Sequence, residues 1–175
     1  MKAKLRDGTE IEILDSIEKI PVSECLRHIN SLIGEGAWIL YTKKMTMKEE
    51  RAWKKNCLAD EKKGLMIRTV ALKDGRIAGS SEGRKQGGRN RGNVAIGIAV
   101  SKEFRGRGLG EFLLRRTIAK SKRKFLPKNI FLSVAEPNKA ARKLYRKVGF
   151  REIARFPDWI EKGGKYYAQV WMVLK

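Results

Sequence analysis

Apolar and polar positions follow two different periods along this chain, and the switches between them mark out its elements. Thr9–Leu14 alternates after an Asp7-Gly8 turn and predicts an exposed strand. Leu26, Ile29, Leu32 and Ile33 recur at helical spacing, which predicts a helix over Ser23–Leu32 ending near Gly34. Gly34–Met45 then reads as a loop carrying Trp38, Ile39, Leu40 and Tyr41. Thr46-Met47-Lys48-Glu49 is a capping box, in which a hydroxyl and a carboxylate satisfy each other's amides. The helix that it opens is predicted to run to about Lys63 and to stop at Gly64. Leu65–Leu72 is apolar and β-prone, Asp74-Gly75 supplies a hairpin turn, and Ile77–Glu82 returns as the partner strand. Gly83–Gly92 reads as a Gly- and Arg-rich loop.

The densest pattern is Val94–Val148. An alternating strand with small residues at every second place, Val94-Ala95-Ile96-Gly97-Ile98-Ala99-Val100, leads into a basic glycine turn, Arg105-Gly106-Arg107-Gly108-Leu109-Gly110. In the helix that follows, Gly110, Leu113, Leu114, Thr117, Ile118 and Ser121 share one face. Asn129–Ala135 is a second short strand. Asn138–Val148 is a second helix with Ala141, Leu144, Tyr145 and Val148 on one face, closed by Gly149. Phe150–Phe156 and Lys165–Leu174 read as final strands around a Gly163-Gly164 turn. The order predicts one mixed α/β domain over residues 1–175, an antiparallel meander leading into a βαβ-like unit.

Composition adds three constraints. With 42% hydrophobic residues in 175, the chain can bury a core without disulfides or metals. No apolar run approaches the ~18–20 residues that span a bilayer, and Met1-Lys2-Ala3-Lys4 opens no signal segment, so a cytoplasmic protein is expected. Cys25 and Cys57 lack CxxC spacing and read as buried thiols. The charge is the unusual quantity: 40 Lys/Arg against 19 Asp/Glu gives +21. Ser101–Lys128 holds ten basic residues against two Glu, and Asn138–Arg151 six against none, so the excess sits on the central stretch. Such a surface attracts polyanions or an anionic cofactor and disfavours cationic small molecules.

Glycines at alternate positions in Arg105–Gly110 let the backbone approach a ligand closely. Their amides, continued by a helix N-terminus, suit a pyrophosphate. Two familiar phosphate loops do not fit: a dinucleotide fingerprint needs glycine where Glu111 stands, and the Gly-Lys-Ser/Thr of a P-loop is absent. The turn resembles instead the Arg/Gln-x-x-Gly-x-Gly/Ala motif of the GCN5-related N-acetyltransferase family. Ile98-Ala99-Val100 before it, and Leu132-Ser133-Val134 and Asn138-x6-Tyr145-x3-Gly149-Phe150 after it, extend the resemblance over about 55 residues in order and spacing.

That resemblance implies a GNAT-like acyl-CoA N-acyltransferase fold: a central mixed, mostly antiparallel sheet flanked by about four helices. It implies acetyl-CoA as co-substrate, no metal, and direct attack of a neutral amine on the thioester. The backbone of Ile98, Ala99 and Val100 would pair with the pantetheine arm as an added strand. The amides of Arg105, Gly106, Arg107, Gly108, Leu109 and Gly110 would hold the pyrophosphate. Asn138 would contact the cofactor near its thiol end, or simply cap its helix. Tyr145 would protonate the departing thiolate, or serve as a core aromatic. Members that acetylate protein N-termini often carry Glu at the position of Ser133, and histone-acetylating members at that of Val94; neither general base is present. Glu82, Glu136 or a water chain could substitute.

An α-amine with pKa ~7.7–8.0 is roughly a tenth neutral at pH 7, a lysine near ~10.4 only about one part in a few thousand. A site without a strong base therefore manages an α-amine more readily. The expected acceptor is a protein or peptide amine. The alternatives are a small-molecule amine, or a non-catalytic basic nucleic-acid-binding module on the same fold. Residues 83–92 carry no aromatics for base stacking; they form a solvated connection or a guide for an acidic protein or a nucleoprotein such as the ribosome. Trp38–Tyr41 line the acceptor cleft or plug the sheet, and His28 reads as packed or exposed rather than catalytic. Edge strands near the C-terminus allow a dimer.

Overall fold

A computed structural model describes all residues 1–175. Eight strands form one sheet in the order β1-β2-β3-β4-β5-β6-β8-β7. They are β1 (Lys2–Lys4), β2 (Glu10–Leu14), β3 (Met66–Lys73), β4 (Arg76–Lys85), β5 (Asn93–Val100), β6 (Asn129–Ala135), β7 (Phe150–Lys162) and β8 (Lys165–Leu174). Every neighbouring pair is antiparallel except β5–β6, the join across the βαβ unit. The four helices are α1 (Val22–Gly34), α2 (Met47–Lys62), α3 (Leu109–Phe125) and α4 (Lys139–Val148).

Both helical caps expected from sequence form. Thr46 accepts the Glu49 amide while the Glu49 carboxylate accepts the Thr46 amide, so α2 starts where its capping box stands. Asn138 Oδ1 accepts the Ala141 amide at 3.2 Å, and Gly149 closes α4 with φ 114°. The apolar stripe of α3 buries Leu113, Leu114, Thr117 and Ile118. Leu114 and Ile118 join Tyr145, Phe150 and the strand residues Val94, Ile96, Leu132 and Met172 in the largest core cluster. A smaller cluster under α1 and α2 holds Ile17, Ile20, Cys25, Cys57 and Val70, and both cysteines are free and buried.

The structure corrects the sequence at three places. Gly83–Lys85 belong to β4, opposite Val94–Ile96, so the basic connection is only residues 86–92, with a 3-10 turn at Gly88–Asn90. Gly83 is there for close approach, not for a turn: a Cβ on it would stand 2.4 Å from Ser121 Oγ on α3. Arg84, expected on a loop, is tied to Asp60 of α2. The charged segment Lys2–Lys4 adds an edge strand. β7 runs six residues past Phe156, and its pairing with β8 shifts register at residues 152/154 and 156/160 before continuing to Lys162.

What positions the site is the failure of β5 and β6 to stay together. They pair only at Asn93–Ala95 with Asn129–Phe131. Beyond that point Ile96–Val100 keep β4 on one side and have no strand on the other.

Candidate active site

The alternation of an antiparallel ladder fixes which β5 groups face this gap. The Ser101 amide bonds to Ala78 O and the Gln86 amide to Asn93 O, so Val100/Gly79 and Val94/Lys85 are non-hydrogen-bonded pairs. Counting inward by twos, Ile96, Ile98 and Val100 turn their N–H and C=O groups toward the gap, whereas Ala99 spends its own on β4. Arg105 Nε takes the Val100 carbonyl at 3.0 Å. The free groups of the Ile98–Val100 segment are therefore both groups of Ile98 and the amide of Val100.

At the mouth of the gap the chain turns into α3. Gly106 and Gly108 adopt φ 76° and 89°, which an L-residue reaches only with strain. Arg105 N–H is used, bonding to Lys102 O at 3.2 Å, and the next amide to find an acceptor is Phe112, on Gly108 O at 3.1 Å. The six amides between them, Gly106 through Glu111, donate to nothing in the protein. An α-helix leaves its first amides unsatisfied, and here the αL glycines prolong that row backward into the turn. The surrounding side chains are held. Arg105 pairs with Glu35, Arg107 with Asp7 at 3.1 Å, and Glu111 with Arg6, Arg115 and Lys147. Gly110 serves packing as well. A Cβ on it would lie 2.9 Å from Leu144 Cδ2, so its bareness lets α3 and α4 meet.

Tyr145 sits in the core against Phe150, ring centroids 6.1 Å apart at 64°. Burial alone pushes its phenol up to about 12, so it is protonated across the physiological range. Its hydroxyl takes part in no hydrogen bond within the protein, which leaves the O–H available as a donor. Asn138 acts as the α4 cap through Oδ1. Ser133 lies on the exposed face of β6, accepting from Gln169 Nε2 at 3.0 Å. Val94 is fully buried in the core. Neither position carries a titratable group.

On the other face of β5, small Gly97 and Ala99 leave room for a cavity of about 260 Å³ under α1 and α2. Its polar lining comes from His28, Glu50, Arg68, Ser80, Glu82 and Tyr41. Glu82 stands opposite Gly97 in register, and a Gly97 Cβ would lie 3.4 Å from Glu82 Cγ. Its carboxylate pairs with Arg68 at 2.6 Å; Arg68, only 3% exposed, also reaches Glu61 at 3.3 Å and lies 5.1 Å above the Trp53 ring. Glu136 is elsewhere, held by Arg155 at 2.7 Å, and that hydrogen bond draws its carboxyl below the usual range.

His28 is buried and lines the cavity. Ser101 Oγ donates to Ile77 O at 3.0 Å and lies 3.1 Å from His28 Nδ1. His28 Nε2 is buried and has no hydrogen-bond partner. Burial holds this imidazole down at about 4, hence neutral at pH 7. Of the loop between α1 and α2, Leu40 and Tyr41 line the cavity. Trp38 instead packs edge-on against Tyr167 and under Lys162, tying the loop to the β7–β8 hairpin. Sequence reasoning missed Glu50 and Arg68. An arginine inside the apolar run Leu65–Leu72 was the available signal, because a buried guanidinium requires carboxylates around it.

A strand edge without a partner and a row of free amides at a helix N-terminus offer hydrogen-bond groups to an extended ligand with a phosphate-bearing tail. The chain belongs to the acetyltransferase (GNAT) family, whose model matches residues 32–150, and acetyl-CoA is accordingly its co-substrate. Solved structures agree in fold. An N-acetyltransferase from Staphylococcus aureus Mu50 superposes with a TM-score of 0.82 at 19% identity, over 95% of this chain and 99% of that one. YncA, a putative acetyltransferase from Salmonella typhimurium with its cofactor acetyl-CoA, gives 0.81 at 20% identity over 95% and 94%. Ribosomal-protein-alanine N-acetyltransferase from Brucella melitensis gives 0.79 at 20% over 93% and 98%. The search of curated proteins gives no match. No helix is long and apolar enough to cross a membrane.

Proposed function

We propose that this acetyltransferase acts on a primary amine of a protein or peptide, with the co-substrate in the β5/β6 gap and the amine in the cavity under α1 and α2. The observation that carries this arrangement is the row of six free amides, Gly106–Glu111, beside the unpaired edge of β5. Bound there, acetyl-CoA supplies an activated acyl group. The amides of the row hold its pyrophosphate, with Arg6, Arg107, Arg115 and Lys147 adding positive charge around them. Ile98 N–H and C=O and Val100 N–H hold the pantetheine arm; Ala99 contributes only a small side chain on the cavity face. Arg105 acts as a brace between Val100 and Glu35, and Gly110 as a packing contact. Tyr145 donates its proton to the leaving thiolate, and Asn138 positions α4, which carries Tyr145.

The amine must lose a proton before it attacks. Glu82 fits this role better than Glu136, because it lines the cavity beside Gly97, whereas Glu136 does not line it. A cavity of about 260 Å³ is at the small end for ligand sites and takes one residue of an extended chain rather than a folded surface. The basic exterior favours an acceptor on an acidic protein or a nucleoprotein such as the ribosome. A free small-molecule amine is the second reading, favoured by the largely apolar cavity walls. A thiol-release assay with acetyl-CoA, run against peptides with free or blocked N-termini and against small amines, separates the two. Absence of acetyl-CoA binding by calorimetry would sink both.

A further inference from the structure

The charge on the outside of this protein and the charge in its cavity have opposite signs. Against +21 overall, the cavity is lined by two carboxylates, Glu50 and Glu82, and one guanidinium, Arg68. That guanidinium is shared with a third carboxylate, Glu61. His28 is neutral at pH 7, and its Nε2 is buried without a hydrogen-bond partner.

Glu50 is the exceptional member. It is 3% exposed, in the first turn of α2, and its carboxylate takes part in no hydrogen bond and no ion pair within the protein. Burial raises its carboxyl above the usual range, with Arg68 opposing only in part. Desolvating a carboxylate without a partner is among the most unfavourable arrangements a fold can hold. Such a group is accounted for when a ligand supplies the missing partner.

The chemistry of that partner follows from the walls. The Glu50 carboxylate is an acceptor without a partner, so the ligand brings N–H donors. The carboxylate calls for a positive one, and Ile17, Leu32, Val70 and Trp53 call for an apolar stem.

We infer that Glu50 is the ammonium-recognition residue of the acceptor cavity, and that the acceptor enters as a primary ammonium ion on a short apolar stem. This rests on the cavity being the acceptor side of the transferase. The recognised ion loses one proton to Glu82, beside Gly97; the neutral nitrogen then forms its bond to the acetyl carbon as the carbon–sulfur bond breaks, Tyr145 gives its proton to the sulfur, and the second proton that the nitrogen sheds as it becomes the amide restores the Tyr145 phenol. Protons and charge balance without any further reactant. Glu50 thus makes a locally anionic binding site inside a cationic protein, and the bulk repulsion of cationic small molecules stops at the cavity mouth.

The same chemistry is offered by a free amine or by the α-ammonium of a peptide opening with an apolar residue. Calorimetry in the presence of CoA tests both. One arm compares 2-phenylethylammonium with 2-phenylethanol; the other compares a Phe-initiated tripeptide amide with its N-acetylated form. The expected result is at least about tenfold tighter binding of the ammonium member in one arm or both, ~1.4 kcal/mol, reduced to within about twofold in Glu50→Gln. The arm that shows the preference identifies the source. No preference in either arm, or a preference that Glu50→Gln retains, overturns the inference.

Should the Gln variant fail to fold, the wild type supplies a second reading. Its ammonium preference should decline on acidification at a pH above the ordinary ~4.3 of a glutamate, while the ligand itself stays charged. The groups facing Glu50 are Cys25 and His28 from α1, Tyr41 from the loop, Arg68 from β3 and Glu82 from β4. His28 gains charge only near its value of about 4, and Cys25 is pushed up to about 11 by burial, so neither titrates in the window between. A preference that stays constant across that window also overturns the inference. Acetyl-CoA affinity, measured separately, stays unchanged if Glu50 acts as inferred. Its absence from the wild type would fault the transferase arrangement instead.

Discussion

Toward α3, β5 presents Val94, Ile96, Ile98 and Val100; toward α1 and α2 it presents Ala95, Gly97 and Ala99. The first face packs a core and ends at a cradle of backbone amides. The second is kept small and is covered by side chains that carry charge. A cradle made of main-chain groups depends on conformation, so its requirements appear in sequence as glycines at fixed spacing. A pocket made of side chains depends on which residues three separate elements bring together, and no local pattern records that. The proposed cofactor side of the molecule is consequently readable from one short stretch, whereas the proposed acceptor side is not.

The sharpest way to separate the two faces is Tyr145→Phe. The ring stays in the core, so thermal stability and acetyl-CoA affinity should hold, while turnover falls about a hundredfold or more, the usual contribution of a positioned acid. Equal turnover would reduce Tyr145 to a packing residue. The phenol also sets a pH signature: with its pKa at about 12, no loss of activity from deprotonation of this donor should appear on the alkaline side up to about pH 11.

His28 tests the other face through stability. Its folded value of about 4 lies below the ~6.5 of an unfolded histidine, so below ~6.5 the unfolded chain binds a proton that the folded one refuses. The neutral imidazole's contribution is complete above ~6.5 and is lost as pH falls toward 4, roughly 3 kcal/mol over the window. Chemical denaturation at several pH values should show this slope, and His28→Gln should flatten it.

Gly108→Val acts on the cradle alone. At φ 89° a β-branched residue is strained, and its Cβ would also crowd Arg6 at 3.2 Å. Acetyl-CoA affinity should drop about tenfold to a hundredfold, while binding of amines in the cavity is unaffected. A matching loss in the cavity would show that the two faces are coupled. The smallest effect is expected of Asn138→Ala, which removes the α4 cap: about 1 kcal/mol of stability by thermal melt, with a lesser effect on turnover than Tyr145→Phe.

Much of the fold was legible because local and global preferences agree. The capping box at Thr46, the αL cap at Gly149 and the stripes of α3 and α4 all stand where periodicity puts them. The misread elements are those whose burial is set from a distance. Gly83 reads as a turn residue until α3 is laid against it. Ile153 and Trp159 in β7 are exposed, so that strand lacks the alternating burial that marks a half-buried one. Of the candidate site, Gly106, Gly108 and Tyr145 are residues that the sequence itself singles out. Glu50 could not, because as a second acidic residue in the first turn of α2 it reads as a surface complement to the helix dipole. Only the folded chain places it under α1 and beside Arg68. Ala99 falls between these cases: its strand is evident from sequence, but only ladder register shows that its backbone faces β4.

The central claim is that the free amides at the start of α3 and the unpaired edge of β5 are one binding surface. Titrating acetyl-CoA into isotopically labelled protein and following backbone amide resonances tests it directly. The account predicts that Gly106 through Glu111, together with Ile98 and Val100, shift downfield as they acquire acceptors, while the Ala99 amide, already bonded to β4, moves little. Saturable binding that leaves Gly106–Glu111 unmoved, or that shifts Ala99 in place of Ile98 and Val100, would contradict it.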